Sequence, residues 1–353
     1  MKIIRLSDVQ LPASGGKAKH VYFISKFQME RNWEVINIFN FGEKITAADI
    51  KILSYFQLRN FKLASFFLFL FFLFSLFAIL KRRLQADIIH IHGDYPHFIL
   101  GAIIKKVTGA KGLVFTYHGA FYNKWFHELF MKKCLASADL VFFTGKEVFD
   151  RYQYYCRKAF FQPSGVSAAF MKDSFEKVNV IYDVICIANV WQPKNLKLFV
   201  DIAFLCPELK FCHIGDGIDL PSLKKYSNSI NVNNIIFSGS LPEWDCIERL
   251  KASRLFLLTS VHEGTPTAVM EAISIGLPVL TTNVGGIDSV VKNGINGYII
   301  DSNNPSDFSN KLIELLADQR KLNYIRKNNL ALRNSLSWNS VCDFYSNEME
   351  SII

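Results

Sequence analysis

The chain has 353 residues, half of them apolar, with a formal charge of +9 and a pI near 9.1. That length is long for one core and comfortable for two domains, and the apolar share excludes extended disorder. Seven cysteines, an odd number without Cys-x-x-Cys spacing, argue against a disulfide framework or a cysteine zinc site and for a reduced cytosolic setting.

Short apolar runs alternate with helical patterns along the chain, the sequence form of parallel sheets covered by helices. Strands are predicted at 3–6, 35–39, 87–92, 112–117, 140–144 and 159–162, then at 182–187, 210–214, 235–238, 255–259, 278–281 and 297–300. Pro163-Ser164-Gly165-Val166-Ser167 separates the two series and suits an interdomain hinge. Met1 to Asp8 reads as a first strand, since its apolar stretch is far too short for a signal peptide. Ligands of open parallel sheets bind beyond the carboxyl ends of strands, so two such domains are expected to enclose a cleft.

Ser14-Gly15-Gly16 follows the first strand and precedes a predicted helix, where its backbone can approach a phosphate closely. A plain strand-to-helix turn is the simpler alternative. Residues 63–80 form a Phe-rich, uncharged segment between Lys62 and Lys81-Arg82-Arg83. As a helix it reaches about 27 Å, close to the roughly 30 Å of a bilayer core. A span would split the strands on either side between two compartments, so a helix buried against the sheet or lying in the membrane surface is the favoured reading over a single span. Its basic flanks suit anionic lipid. Lys and Arg are otherwise scattered with no nucleic-acid motif, so anionic partners are sought among nucleotide sugars and lipid headgroups, not nucleic acid.

His90 and His92 share one face of a strand and suggest a metal pair, but no third ligand is spaced to join them. His90 is therefore read as core and His92 as cleft-lining, and no metal site is expected. His118 ends the strand Val114-Phe115-Thr116-Tyr117, at the rim of the first domain.

In the second half, Gly215 lies in a Gly-x-Gly turn after a strand, and Ser238-Gly239-Ser240-Leu241 stands at another strand end. Glu263 and Glu271 stand eight positions apart in His262-Glu263-Gly264-Thr265-Pro266-Thr267-Ala268-Val269-Met270-Glu271. A Gly/Pro turn opening a helix near Thr267 leaves free backbone N–H groups and a positive dipole end, which suit a diphosphate. With Glu263 before the helix and Glu271 about two turns in, one carboxylate is placed for sugar hydroxyls and the other for ribose hydroxyls. An ordinary helix start with an acidic first turn is the alternative.

After Glu271 come Gly276-Leu277-Pro278-Val279, Gly285-Gly286, Asp288 and Gly294-Ile295-Asn296-Gly297. This run resembles the signature of the family 4 glycosyltransferases: Glu, seven residues, Glu, a Gly-x-Pro-Val strand, a Gly-Gly turn and an Asn-Gly turn. Asp288 departs from it, standing where Glu is more usual. The resemblance is tight from Leu255 to Gly297 and loose across the first domain. It implies a GT-B α/β fold: two facing Rossmann-like, doubly wound parallel-sheet domains over 1–165 and 166–337, with a helix over 338–353 packing back on the first.

The same resemblance implies the site roles. Gly15 and Gly16 contact the diphosphate, and His118 lies beside the donor sugar near the anomeric carbon. Ile187 to Asn195 resembles a segment reading strand, Gly-Arg, Pro-x-Lys; Lys194 matches and neutralises the leaving diphosphate. Asn189 stands where an Arg normally gives a bidentate phosphate contact, which a neutral amide does not replace. Gly215 resembles the family's Gly-Gly turn.

No Asp-x-Asp pair is present to hold a metal on the diphosphate, so stabilisation is expected from Lys194, the Gly16, Gly264 and Thr265 amides and the helix start. The function expected is a retaining, metal-independent glycosyltransferase without cofactors, moving a sugar from a nucleotide-sugar donor to a cell-surface glycan precursor such as a lipid-linked one. Glu263 orients the sugar and Glu271 the ribose. The expected location is peripheral, on the inner face of the cytoplasmic membrane. A nucleotide-sugar epimerase of the same fold and an inactive nucleotide-sugar-binding subunit are the alternatives. A transporter needs several spans where one candidate exists.

Overall fold

The β-rich runs pair into two parallel sheets. In the first, β1 (Lys2–Leu6), β2 (Glu34–Phe39), β3 (Ile50–Lys51), β4 (Ile88–Gly93), β5 (Gly112–Tyr117), β6 (Leu140–Phe143) and β7 (Ala159–Phe161) lie in the order β3-β2-β1-β4-β5-β6-β7. In the second, β8 (Tyr182–Ile187), β9 (Phe211–Ile214), β10 (Ile235–Phe237), β11 (Ser253–Leu258), β12 (Val279–Thr282) and β13 (Gly297–Ile300) lie in the order β10-β9-β8-β11-β12-β13. Every neighbouring pair is parallel. All twelve predicted strands form, with ends shifted by a residue or two; β3, two residues long, carries too little pattern to be read from sequence. This computed structural model describes residues 1–12, 16–52, 64–93, 95–118, 125–172 and 179–353.

The chain divides into two units, Met1–Gly165 with Trp338–Ile353, and Val166–Ser337. In the first, the helix Trp338–Glu350 buries Trp338, Val341, Cys342, Tyr345 and Met349 in one cluster with Ile3, Ile24, Val35 and Ile88. Gly165 permits this return: a Cβ there would lie 2.6 Å from the Trp338 Cα. In both sheets the strand order reverses beside the first strand of the unit, at β1/β4 and β8/β11, the crevice where doubly wound folds bind ligands.

The Phe-rich segment is a helix, Ala64–Arg82; Leu63 and Lys62 lie outside the described residues. Phe71, Phe72 and Ile79 are buried in the core of the first unit, each contributing roughly 1.5–3 kcal/mol of transfer free energy. Leu73, Phe74, Phe77 and Leu80, spaced one, four and seven apart, instead form one exposed stripe, with Phe77 62% exposed. Ile103 and Val107 on the helix Gly101–Thr108, and Leu129 and Phe130 on the helix Trp125–Ser137, are exposed as well. Those two helices pack on one another, and the first also packs on the Phe-rich helix, so the apolar side chains gather on one side of the sheet. No helix among the described residues is long and apolar enough to cross a membrane.

Candidate donor site and a buried histidine cluster

In the second unit a cavity of about 360 Å³ opens at the β8/β11 crevice. Its wall brings together Asn189 and Lys194 after β8, Gly215 after β9, Glu263 and Thr265 after β11, and Glu271 from the helix that follows. Asn189 follows β8 and is exposed, and Lys194 ends a 3₁₀ turn, Gln192–Lys194. That turn is tied to the end of β11: the Thr259 hydroxyl donates to the Lys194 carbonyl at 3.2 Å, and the Val261 N–H to the Pro193 carbonyl at 2.9 Å.

Gly215 sits directly under β8's continuation. Its φ is +142°, and a Cβ would stand 2.0 Å from the Ala188 carbonyl oxygen, so no side chain fits between that loop and the cavity floor. The Gly285-Gly286 turn serves the loop of the first carboxylate in the same way. Gly285, at φ +52°, would place a Cβ 2.3 Å from the Glu263 carbonyl oxygen, and the Gly286 N–H donates to the Gly264 carbonyl at 2.8 Å. The glycines of the motif thus hold the Glu263–Gly264 backbone in place.

Glu263 is largely buried and engaged. Its Oε1 accepts from Lys194 Nζ at 2.6 Å and from the Ser260 hydroxyl at 2.7 Å. Carboxylate and ammonium therefore form one preset pair at the cavity. The helix Thr267–Ile275 begins after Pro266 with no side-chain cap, so the amides of its first residues, Thr267 and Ala268, have no helical partners, and both residues line the cavity. Glu271 is the fifth residue of that helix, little more than one turn in rather than two, because the helix starts at Thr267 and not earlier.

Ser240, Leu241 and Cys246 also line the cavity. Burial pushes the Cys246 thiol up to about 11, so it is a neutral wall element. Cys246 comes from the helix Glu243–Lys251, and no local pattern marks it. Gly264, exposed beside Thr265, does not itself line the cavity.

The first unit presents different chemistry. Gly16 starts the helix Gly16–Glu30, while Ser14 and Gly15 lie outside the described residues. Lys17 is held at 2.5 Å by Asp8, which also meets His97 at 3.3 Å. His90 is core, as expected: it is fully buried, with Nε2 2.8 Å from the Thr116 hydroxyl and Nδ1 accepting from Arg5 Nε at 3.3 Å. Arg5 is anchored below by Ser25 and Gln28, each at 2.5 Å.

His92 departs from expectation twice. It is fully buried and lines no surface, and it does have close imidazole neighbours. Its Nδ1 lies 3.1 Å from Nε2 of half-buried His118, because β4 and β5 pair in register with His92 opposite Thr116. His20, from the helix Gly16–Glu30, closes the group: one ring nitrogen from each of His20, His92 and His118 lies within 4.8 Å of the others. Sequence spacing misses this third member because it arrives from a packed helix, not the same strand. Burial holds His20 down at about 3, with Arg5 repelling the proton further, and burial likewise holds His90, His92 and His118 well below the usual imidazole range.

Comparison with known proteins bears on these sites. Residues 172–331 match the model of glycosyl transferases group 1, and residues 14–161 that of glycosyltransferase family 4. An Escherichia coli UDP-Gal:α-D-GlcNAc-diphosphoundecaprenol α-1,3-galactosyltransferase is 29% identical over 285 residues, covering 72% of each chain. Sucrose-phosphate synthase from Thermosynechococcus elongatus superposes with a TM-score of 0.83 at 15% identity, covering 99% of this chain and 98% of that one. HepE from Anabaena, solved with UDP, gives 0.81 at 16% identity, covering 99% and 100%. With both halves matched by glycosyltransferase models and both sheets of the Rossmann type, the chain belongs to the family 4 glycosyltransferases of the GT-B fold.

Proposed function

We propose that this glycosyltransferase is retaining and metal-independent, and moves a sugar from a UDP-sugar to a lipid-linked precursor of a cell-surface glycan. The observation that carries the reading is the second unit's cavity, where Lys194, Glu263, Glu271 and an uncapped helix start converge. Breaking a sugar–phosphate bond builds negative charge on the departing diphosphate and positive charge at the anomeric carbon. Lys194 and the Thr267 and Ala268 amides receive the first. Glu263, oriented by Lys194 and Ser260, accepts from sugar hydroxyls, and Glu271 from the ribose. The part given to His118, near the breaking bond, and to Gly15 and Gly16 at the diphosphate rests on the family resemblance alone. With Asn189 in place of an arginine, Lys194 is the one cation lining this cavity among the described residues, which favours an inactive donor-binding subunit as the second reading.

A uridine donor and a lipid-diphosphate acceptor are supported by the Escherichia coli relative, whose name states both. The exposed stripe Leu73, Phe74, Phe77 and Leu80, beside Lys81, Arg82 and Arg83, supports a peripheral seat on the inner face of the cytoplasmic membrane: the apolar side chains enter the headgroup boundary and the cations meet anionic lipid.

The test offers a panel of UDP-sugars to the purified protein in EDTA with polyprenyl-diphosphate-linked acceptor sugars, scoring free UDP and the anomeric configuration of the product. Release from one donor with retention, abolished in Glu271→Ala, is the expected result. Donor binding without release for every acceptor would establish the inactive subunit instead.

A further inference from the structure

The histidine cluster of the first unit contains more nitrogen lone pairs than partners. Nδ1 of His20 is 2.9 Å from the Ser164 hydroxyl, which leaves Nε2 as the free ring atom. That Nε2 is buried without a hydrogen-bond partner among the described residues, and so is Nε2 of His92. Buried imidazole nitrogens normally find partners, and the orphaned Nε2 of His20 points to an absent one, while His92 offers the cluster its other ring nitrogen, Nδ1. His92 Nδ1 and His118 Nε2 face each other at 3.1 Å, and nitrogens sharing one tetrahedral zinc at about 2.0–2.1 Å stand about 3.3 Å apart. The three rings are mutually close, with centroids 5.0, 5.4 and 5.7 Å apart and the His20 ring edge-on to the other two. No single strand or helix supplies more than one of the three, so the arrangement is a product of the fold.

We propose that His20, His92 and His118 form a zinc site in the first unit, with the fourth position open to solvent or an exogenous anion. Neutral imidazoles are the ligands zinc accepts most readily after thiolates, and a His₃ set leaves one position free. The Ser164 contact fixes the His20 ring as an outer hydrogen bond does for many metal-bound histidines. His20 and His92 are sealed and His118 is half-buried, so the ion enters past His118. On the functional reading above, in which His118 serves the breaking bond, zinc engages the same imidazole and inhibits transfer. The enzyme is then active in EDTA and restrained by zinc.

The site is tested first by binding, apart from turnover. Full-length protein stripped with EDTA is titrated with cobalt(II) and zinc sulfate. One cobalt per chain is expected, with the visible absorption of a four-coordinate ion and without the near-ultraviolet band of cobalt thiolate, which separates it from binding at the seven cysteines. Affinity is expected to fall at least a hundredfold in His118→Ala and in His20→Gln, each checked for an unchanged unfolding transition. Failure of the wild-type chain to hold either metal, a thiolate band, or undiminished binding in folded His118→Ala would overturn the site. If zinc binds as described and leaves UDP release unaffected, the site stands and the role of His118 in transfer falls.

Discussion

The two units share a sheet topology and differ in how their polar chemistry is assembled. In the second, the charged groups lining the cavity among the described residues are two carboxylates and one ammonium, and the carboxylates come from one short stretch of nine residues, 263–271. In the first, the counterpart at the strand ends is a nest of imidazoles over a buried guanidinium, and its members come from three distant segments. A site assembled from one turn and one helix is written in local order; a site assembled from neighbouring strands and a packed helix is written only in the fold. The electrostatics diverge as well. The carboxylate side holds opposite charges in contact, Glu263 with Lys194, while the imidazole side is held neutral by burial.

The largest effect is expected on the carboxylate side. Glu263→Ala removes the acceptor of both Lys194 and Ser260 and is expected to lower kcat/KM by about 10²–10³-fold, roughly 3–4 kcal/mol, the scale of a lost preorganised electrostatic group. Steady-state kinetics with the donor identified by the UDP-sugar panel checks it. Near-normal turnover would mean that the two units do not differ in the way proposed, since the Glu263 contacts with Lys194 and Ser260 would then be structural.

Acid separates the units next. His20 sits near 3, and His90, His92 and His118 also lie well below the unfolded value of about 6.5, so between those values the unfolded chain binds more protons than the folded one. Stability from these groups is complete above about pH 6.5 and is lost as pH falls through that window. The second unit has one such buried histidine among its described residues, His213, lowered to about 4 by burial. Pulsed hydrogen exchange near pH 5 is expected to show β1, β4 and β5 losing protection on the order of a few kcal/mol while β8 and β11 retain theirs. Equal loss in both sheets would erase the distinction.

Much of this contrast explains what the sequence could and could not disclose. Twelve strands were legible because parallel, doubly covered strands are continuous apolar runs, and β3 was not because two residues carry no period. The loop of Glu263 was legible because Gly285 must approach its backbone within van der Waals contact, a demand that leaves a glycine in the chain. Cys246 and Ser240 in the cavity wall, and His20 beside His92, left no such trace. Their proximity follows from which helix packs on which strand, and no residue type is forced by it. The Phe-rich helix was legible as a helix, but which of its sides turns inward was not, because nearly every position is apolar.

Installing the missing cation sharpens the comparison from the other direction. Asn189 is exposed at the cavity wall, so Asn189→Arg adds a guanidinium there with little to displace. A gain of about tenfold in donor affinity, near 1.4 kcal/mol, is expected by calorimetry with UDP, and a loss would show that the cavity is adapted to the neutral amide.

The smallest expected change in stability belongs to the apolar stripe, and its smallness is the point. Phe77 is 62% exposed, whereas Phe71 and Phe72 on the same helix are buried. Phe77→Ser is therefore expected to alter the unfolding free energy by no more than about 0.5 kcal/mol, while Phe72→Ala costs about 3–5 kcal/mol. On the proposed membrane seat this side chain serves lipid contact and not folding, so cosedimentation with phosphatidylglycerol vesicles is expected to fall in Phe77→Ser and in Phe74→Ser. If both variants bind those vesicles as the wild type does, the exposed side of this helix faces something other than lipid, and the first unit's difference from the second is confined to its histidines.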